Sequence, residues 1–487
     1  MEVPAVPQLA PTGHTSAPPH DGRAPARPGA ALTVTAAATA VALMNYTAPM
    51  LTLPDTAAAF GTPPSAQAWL LNGTPLGLAV LLLVAGSLAD AHGRRRIFLL
   101  GTLALGLTTA LGALADSTLT FTAARVAQGA ASAAVLAGSL GLLAHAYPAG
   151  RDRIRATGIW GASVSAGIAL GPLLAGALSL ADWRLVYGTL GAAALVIAGV
   201  GARTLRADGT KREGSGSRPD IAGAPDEAER VGSRPDIAGA TALGLALAAL
   251  LTALTLGRDG WLRPQVGLLL FAAVALTALF VAVERRSRTP MVDLALLRRP
   301  AFLASTLGAL FTGLAVIGLF SVVPALLQGG AGMSPLGAAW LFVLWSGTAF
   351  VVALQARRLP ARLSAPYQLA LGFALSAAGV LALLGGLEGP TASWSRLLPG
   401  LLVAGAGSGL LNAALPRLAV DSVPPERAAM GSGANNTARY IGSSAGVALM
   451  LALATAGTGP DTAVVVSAAL AVAGAVVTLT LGRRPRR

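Results

Sequence analysis

An all-α membrane protein that crosses the bilayer many times is the fold this sequence predicts, and three observations predict it. The chain is 54% hydrophobic and 11% charged, with a mean hydropathy of +0.66, where a soluble domain carries roughly 25% charged residues. Its apolar residues fall into fourteen runs, each close to the roughly 20 helical residues that cross a hydrocarbon core of about 30 Å. Its arginines lie between those runs rather than along one face or in one tail, so the net charge of +14 points to the membrane surface and not to nucleic acid.

Taken in order, residues 1–30 are rich in Pro, Ala and Gly and hold no apolar core of the kind a secretory leader needs, so they read as a disordered cytoplasmic tail. Spans are expected near 31–53, 70–90, 97–115, 120–143, 156–179 and 184–202. Residues 203–238 break the apolar pattern with Gly, Ser, Pro and charges of both signs, and read as a cytoplasmic linker too polar to fold alone. Within that linker Gly-Ser-Arg-Pro-Asp-Ile-Ala-Gly-Ala occurs at 216–224 and again at 232–240; an unstructured linker tolerates such a duplication, and no function is assigned to it. Further spans follow near 239–257 and 265–284, a connector at 285–300, and spans near 301–327, 336–356, 366–386, 396–418, 431–455 and 462–482 before a basic tail at 483–487. Trp69, Trp183, Trp261 and Trp394 fall at expected span ends, where indoles favour the interface.

Starting the chain inside places Arg94 to Arg96, Arg151, Arg153, Arg155, the 203–234 segment, Arg285 to Arg299, Arg357, Arg358, Arg362 and the final arginines in the cytoplasm, and leaves Arg258 and Arg263 outside. That asymmetry predicts an even number of spans with both termini cytoplasmic. Arginine dominates the basic residues, Lys211 being the lone lysine, and Ala and Gly abound, a bias that suggests a GC-rich bacterial source and hence a bacterial cell membrane. The chain has no cysteine and its four histidines lack ligand spacing, so no metal or other cofactor is expected. No nucleophile and base at useful spacing and no phosphate loop point to an enzyme.

Four constellations remain. Between the second and third spans, Asp90 ends a helix, Gly93 permits the positive φ of a sharp turn, and Arg94 and Arg95 follow; the plainer alternative is a snorkelling positive-inside loop. In the fourth span Arg125, Gln128, Gly129 and Ser132 share one helical stripe. An arginine there marks either a polar cavity or an anchor near the helix start. In the fifth, Gly167 and Gly171 form a GxxxG followed by Pro172 and Gly176, a pattern that lets two backbones approach and that also serves plain packing. Near the carboxyl end Asn435 and Arg439, and Asn436 and Tyr440, stand four residues apart on two polar ridges, which need water, substrate or one another.

Residues Gly86, Asp90, Gly93, Arg94 and Arg95 resemble the signature loop of the major facilitator superfamily: Gly, three residues, Asp, two residues, then Gly-Arg-Arg. Arg125-Val-Ala-Gln-Gly129 is similar to that family's fourth-helix motif, whose arginine the resemblance assigns to proton transfer or substrate handling. The glycine-rich fifth helix ending in Gly171-Pro172 resembles its antiporter motif, which implies export. The stretch from Pro424 through Gly446, the Trp261 turn, Glu284 to Pro290 and Asp293 to Arg298 look like the fourteen-span drug:proton antiporters. The matches extend over about 31–482 and imply two six-helix bundles, 31–202 and 301–482, with an added pair at 239–284.

One departure stands out. The family's first helix carries a membrane-embedded aspartate, and the alignment through Pro54, Gly61 and Trp69 sets Met44 at its place. Asp55 is the best replacement as a proton carrier, beside Arg125, although an interfacial aspartate is the plainer reading. The cavity is expected to draw on Asn45, Tyr46, Thr47, Asn72, Arg125, Gln128, Asn412, Asn435, Asn436 and Arg439. Two or three arginines with no central acid favour anionic or neutral cargo over dications. The expected function is proton-driven export of a small amphiphilic organic compound such as an antibiotic or secondary metabolite, by a monomer in contact with lipid. Its rivals are an uptake facilitator or symporter and, more distantly, a membrane receptor or enzyme.

Overall fold

A computed structural model describes residues 28–147, 151–205, 237–257, 262–287, 296, 298–356, 363–387, 389, 394–423, 428–455 and 459–482. Among them the regular structure is helical throughout, with no strand. The helices are α1 Pro28–Thr47, α2 Pro49–Phe60, α3 Gln67–His92, α4 Arg94–Ala113, α5 Thr118–Ala146, α6 Arg151–Leu178, α7 Trp183–Thr204, α8 Ile237–Gly257, α9 Pro264–Arg286, α10 Pro300–Phe311, α11 Gly318–Ala331, α12 Pro335–Ala356, α13 Ala365–Leu381, α14 Trp394–Asp421, α15 Ala428–Thr455 and α16 Pro460–Gly482. Eleven segments among the described residues are long and apolar enough to cross a membrane, and shorter apolar stretches lie at Thr241–Leu254 and Ala365–Leu381. The duplicated linker, Trp261 and most of the 285–300 connector lie outside the described residues, although Ile237 to Ala240 of the second copy open α8.

Two rods expected to be continuous are interrupted. The first divides at Ala48 into α1 and α2, because Pro49 offers no amide hydrogen and its ring clashes with the preceding turn. It then runs on to Gly61, whose φ of 59° closes the helix in the left-handed region. The rod from Pro300 to Ala331 carries a π-helical stretch, Thr312–Ile317, between α10 and α11. Such stretches concentrate at functional sites, and this one packs on α15.

Glycine lets several helices meet backbone to backbone. A Cβ on Gly129 of α5 would collide with the Thr74 carbonyl of α3, and one on Gly77 with the Val126 carbonyl. The same device recurs where Gly442 and Gly446 of α15 lie against the carbonyls of Leu310 and Leu314. In a membrane such small-residue contacts stand in for a missing hydrophobic drive between helices.

The first seven helices pack mainly among themselves, as do α10 to α16, and the two sets touch through α3 with α15, α6 with α12 and α2 with α11. α8 lies against both α3 and α15, while α9 packs on α8 and leaves much of its surface bare, Phe271 being 71% exposed. Trp183 opens α7 at the expected span end. It is buried among Phe60, Phe121 and Tyr187 at centroid distances of 5.4, 5.9 and 6.0 Å, because the packing of α2, α5 and α7 closes over it. Trp69 is partly buried and Trp394 exposed.

Candidate functional site

Arg125 is fully buried and collects four helices around itself. Its Nη1 donates to Asn45 Oδ1 at 2.6 Å and Gln128 Oε1 at 2.5 Å, and its Nη2 donates to the Asn45 carbonyl at 2.7 Å. Asn45 Nδ2 in turn donates to Thr109 Oγ1, and Gln128 Nε2 to the Thr108 carbonyl at 3.0 Å. The guanidinium carbon sits 5.6 Å from the Tyr187 ring centre, and Tyr187 shares a 2.8 Å hydrogen bond with Thr52. Gly73 makes room, since a Cβ there would meet Arg125 Cβ at 2.5 Å. No carboxylate is among these partners, and among the described residues Nε has no hydrogen-bond partner. A buried charge held by amide and hydroxyl dipoles alone keeps its positive field.

Asn45, one of the expected cavity residues and next to the Met44 that the alignment set at the family's aspartate position, faces the guanidinium. Ala48, between α1 and α2, keeps right-handed helical dihedrals of φ −53° and ψ −42°, and its amide bonds the Met44 carbonyl at 2.9 Å, so the helical path continues from Asn45 toward Pro54.

The second cluster belongs to α15. Arg439 Nη2 donates to Asn436 Oδ1 at 3.0 Å, its Cζ lies 5.5 Å from the Tyr440 ring centre, and its buried Nε has no hydrogen-bond partner. The expected ridges therefore cross: Arg439 takes Asn436 three residues back, while Asn435 turns away to donate to the carbonyl and Oγ of Ser305 on α10, each at 3.0 Å. Tyr46 bridges the two helix sets. Its hydroxyl is 3.1 Å from Ser443 Oγ and its ring meets Tyr440 edge-on at 5.8 Å. Beside it Tyr46, Met50, Leu71, Pro75, Ser321 and Val447 enclose about 10 Å³, space for about one water. At Tyr46 the two helix sets are in direct contact.

The remaining candidates divide. Thr47 is buried and back-bonds to the Leu43 carbonyl at 3.1 Å, against Gly171. Asn72 is buried with Oδ1 lacking a partner, whereas Asn412 is exposed and stands outside both clusters. Gly167 and Gly171 admit α1 backbone at Ala40 and Met44, Pro172 is carried inside α6, and Gly176 faces the Pro335 carbonyl of α12 across the seam. At the signature loop Gly93 has φ 95°, and Gly86 has open space around it. Arg94 Nη1 reaches the Gly141 carbonyl at 3.3 Å. Arg95 donates from Nε to the Leu205 carbonyl at 2.8 Å and from Nη2 to the Ala202 carbonyl at 3.0 Å, which suits cations at helix C-termini. The Asp90 side chain lies outside the described residues.

Asp55, in α2 and outside the span Pro28–Thr47, is half-buried with Oδ2 unpartnered. Burial first, and then the Asp182 carboxylate, push its carboxyl above the usual range. Tyr187, Thr109, Ser443 and Ser321 are members of the site that the sequence reading missed; for Tyr187 the available signal was a phenol inside an apolar span, where a hydroxyl needs a partner.

Comparison with known proteins follows the same outline. The family model described as Major Facilitator Superfamily matches residues 35–447 and 307–487. The puromycin resistance protein pur8 of Streptomyces alboniger is 31% identical over 434 residues, 88% of this chain and 82% of that protein. The multidrug resistance protein Stp of Mycobacterium tuberculosis is 31% identical over 401 residues, 82% and 70% of the two chains. The probable actinorhodin transporter of Streptomyces coelicolor is 31% identical over 445 residues, 87% and 72%. Among solved structures, a peptide transporter in complex with sulfate superposes with a TM-score of 0.68 at 16% identity, over 94% of this chain and 96% of that one; this likeness is one of fold.

Proposed function

The chain belongs to the major facilitator superfamily, and from that premise we propose that it exports a small amphiphilic organic compound, an antibiotic or secondary metabolite, in exchange for protons. The kinship with proteins named for puromycin and multidrug resistance supports export. In this reading the bundles 31–202 and 301–482 rock against each other in a bacterial cell membrane, both termini cytoplasmic, with the pair 239–284 alongside. The chain works as a monomer and carries out no covalent chemistry.

The observation that carries the substrate class is the Tyr46 bridge lying between two guanidiniums that have no carboxylate partner among the described residues. Cargo entering there meets positive charge on both sides and aromatic faces between, which suits an anionic or neutral amphiphile and repels a dication. When the seam opens, Arg439 exchanges its single amide bond for the cargo. Asp55, its carboxyl already pushed up, takes the proton.

Inverted vesicles with an imposed pH gradient test this against a panel of cationic, neutral and anionic antibiotics, native protein beside Asp55→Asn. Gradient collapse evoked by anionic or neutral compounds and absent in the variant is the expected result. Preferential collapse by dications would sink the substrate class, and flux with no collapse for any compound would make the protein a facilitator.

A further inference from the structure

We propose that the groove between α8 and α9 binds an anionic phospholipid, its phosphodiester held by Arg285 and Arg286 and its acyl chains laid along the two helices. The groove measures about 980 Å³, near the top of the roughly 300–1,000 Å³ spanned by small-molecule sites. Leu243, Leu247 and Leu250 of α8 face Leu270 and Val274 of α9, and the groove ends at the two arginines. From Leu270 to Arg285 is 285 − 270 = 15 residues, a rise of about 22 Å along the helix. One leaflet, half of a bilayer of about 40–45 Å with its headgroups, has that depth.

Charge selects among lipids. Arg285 and Arg286 are both exposed, and the adjacent acid, Glu284, is buried and does not line the groove, so the rim stays cationic. Guanidinium forks match phosphate oxygens, and a lipid with net negative charge keeps that attraction where a zwitterionic headgroup cancels it. Position supplies a consequence: α8 lies on α3 and α15, two helices that join the bundles, so a lipid wedged behind α8 bears on the seam that opens during transport.

Native mass spectrometry of the full chain, titrated with phosphatidylglycerol and phosphatidylcholine of identical acyl chains, tests the site. One retained phosphatidylglycerol per protein is expected, and Arg285→Gln with Arg286→Gln lowers its affinity about thirtyfold while phosphatidylcholine binding is unchanged, which also shows the variant to be folded. Lysine at both positions keeps most of the preference, and Val274→Trp, which fills the trough, excludes both lipids. Equal affinity for the two lipids in the native protein, or a preference that survives the double glutamine variant, overturns the proposal. So does a lipid-free dimer that Val274→Trp dissociates, which assigns the face to a second copy of the chain.

Discussion

The two helix sets each set an arginine beside the seam and hold it differently. Arg125 is fully buried, with three hydrogen bonds to two side chains and a backbone carbonyl and a ring beside it. Arg439 is half-buried, with a single side-chain bond among the described residues, to a neighbour on its own helix. The first is a structural knot that also projects charge, because its partners come from α1 and α5 and are themselves tied to α4. The second is an unfinished site, whose guanidinium retains donors for something that arrives.

The largest effect expected from that contrast comes from Asn45→Ala. It takes one of three hydrogen bonds from a buried guanidinium, leaving those to Gln128 and to the backbone carbonyl at position 45, and costs about 2–3 kcal/mol, read as a fall in the thermal midpoint together with loss of transport. Arg439→Gln separates the two properties: transport is lost while stability changes by less than about 1 kcal/mol. Equal destabilisation by the two variants would break the comparison.

Glycine substitutions extend it to the packing. Gly129→Ala against the Thr74 carbonyl and Gly442→Ala against the Leu310 carbonyl each force backbones apart, at about 1–3 kcal/mol, whereas Gly161→Ala, with open space around it, is nearly neutral in thermal melts. A smaller effect is expected at the bridge itself. Tyr46→Phe removes the hydroxyl contact with Ser443, worth about 1 kcal/mol. It shifts the seam toward open about fivefold, measured by distance labels on α1 and α15. An unchanged distribution would show that the ring contact alone holds the seam.

The smallest effect is a pH dependence. Because folding raises the Asp55 carboxyl above its unfolded value, the fold is penalised once pH climbs through that window and is free of the penalty below the unfolded pKa. Asp55→Asn is therefore slightly more stable than native protein at neutral pH, and the gap closes on acidification. A gap that widens at low pH would reverse the assigned sign.

Legibility followed the range of the forces involved. Hydropathy over some twenty residues and the placement of arginine between apolar runs depend on composition alone, so the helical membrane fold, the Gly93 turn, and Arg125 with Gln128 on one stripe were all readable from the chain. Kinship in the motifs carried the family. What tertiary structure decided were partners and phase. Asn45 meets Arg125 across two helices; Trp183 packs within an aromatic cluster; a π-helical stretch at Thr312–Ile317 meets α15; and Tyr46 finds Ser443 nearly four hundred residues away. Each of these rests on which faces of separate helices meet, and a one-residue shift turns a helix by about 100°. The sequence by itself determined that a polar, cationic interior exists within this membrane protein; only the packing of its helices decided which side chains hold the charge and which are left open to a ligand.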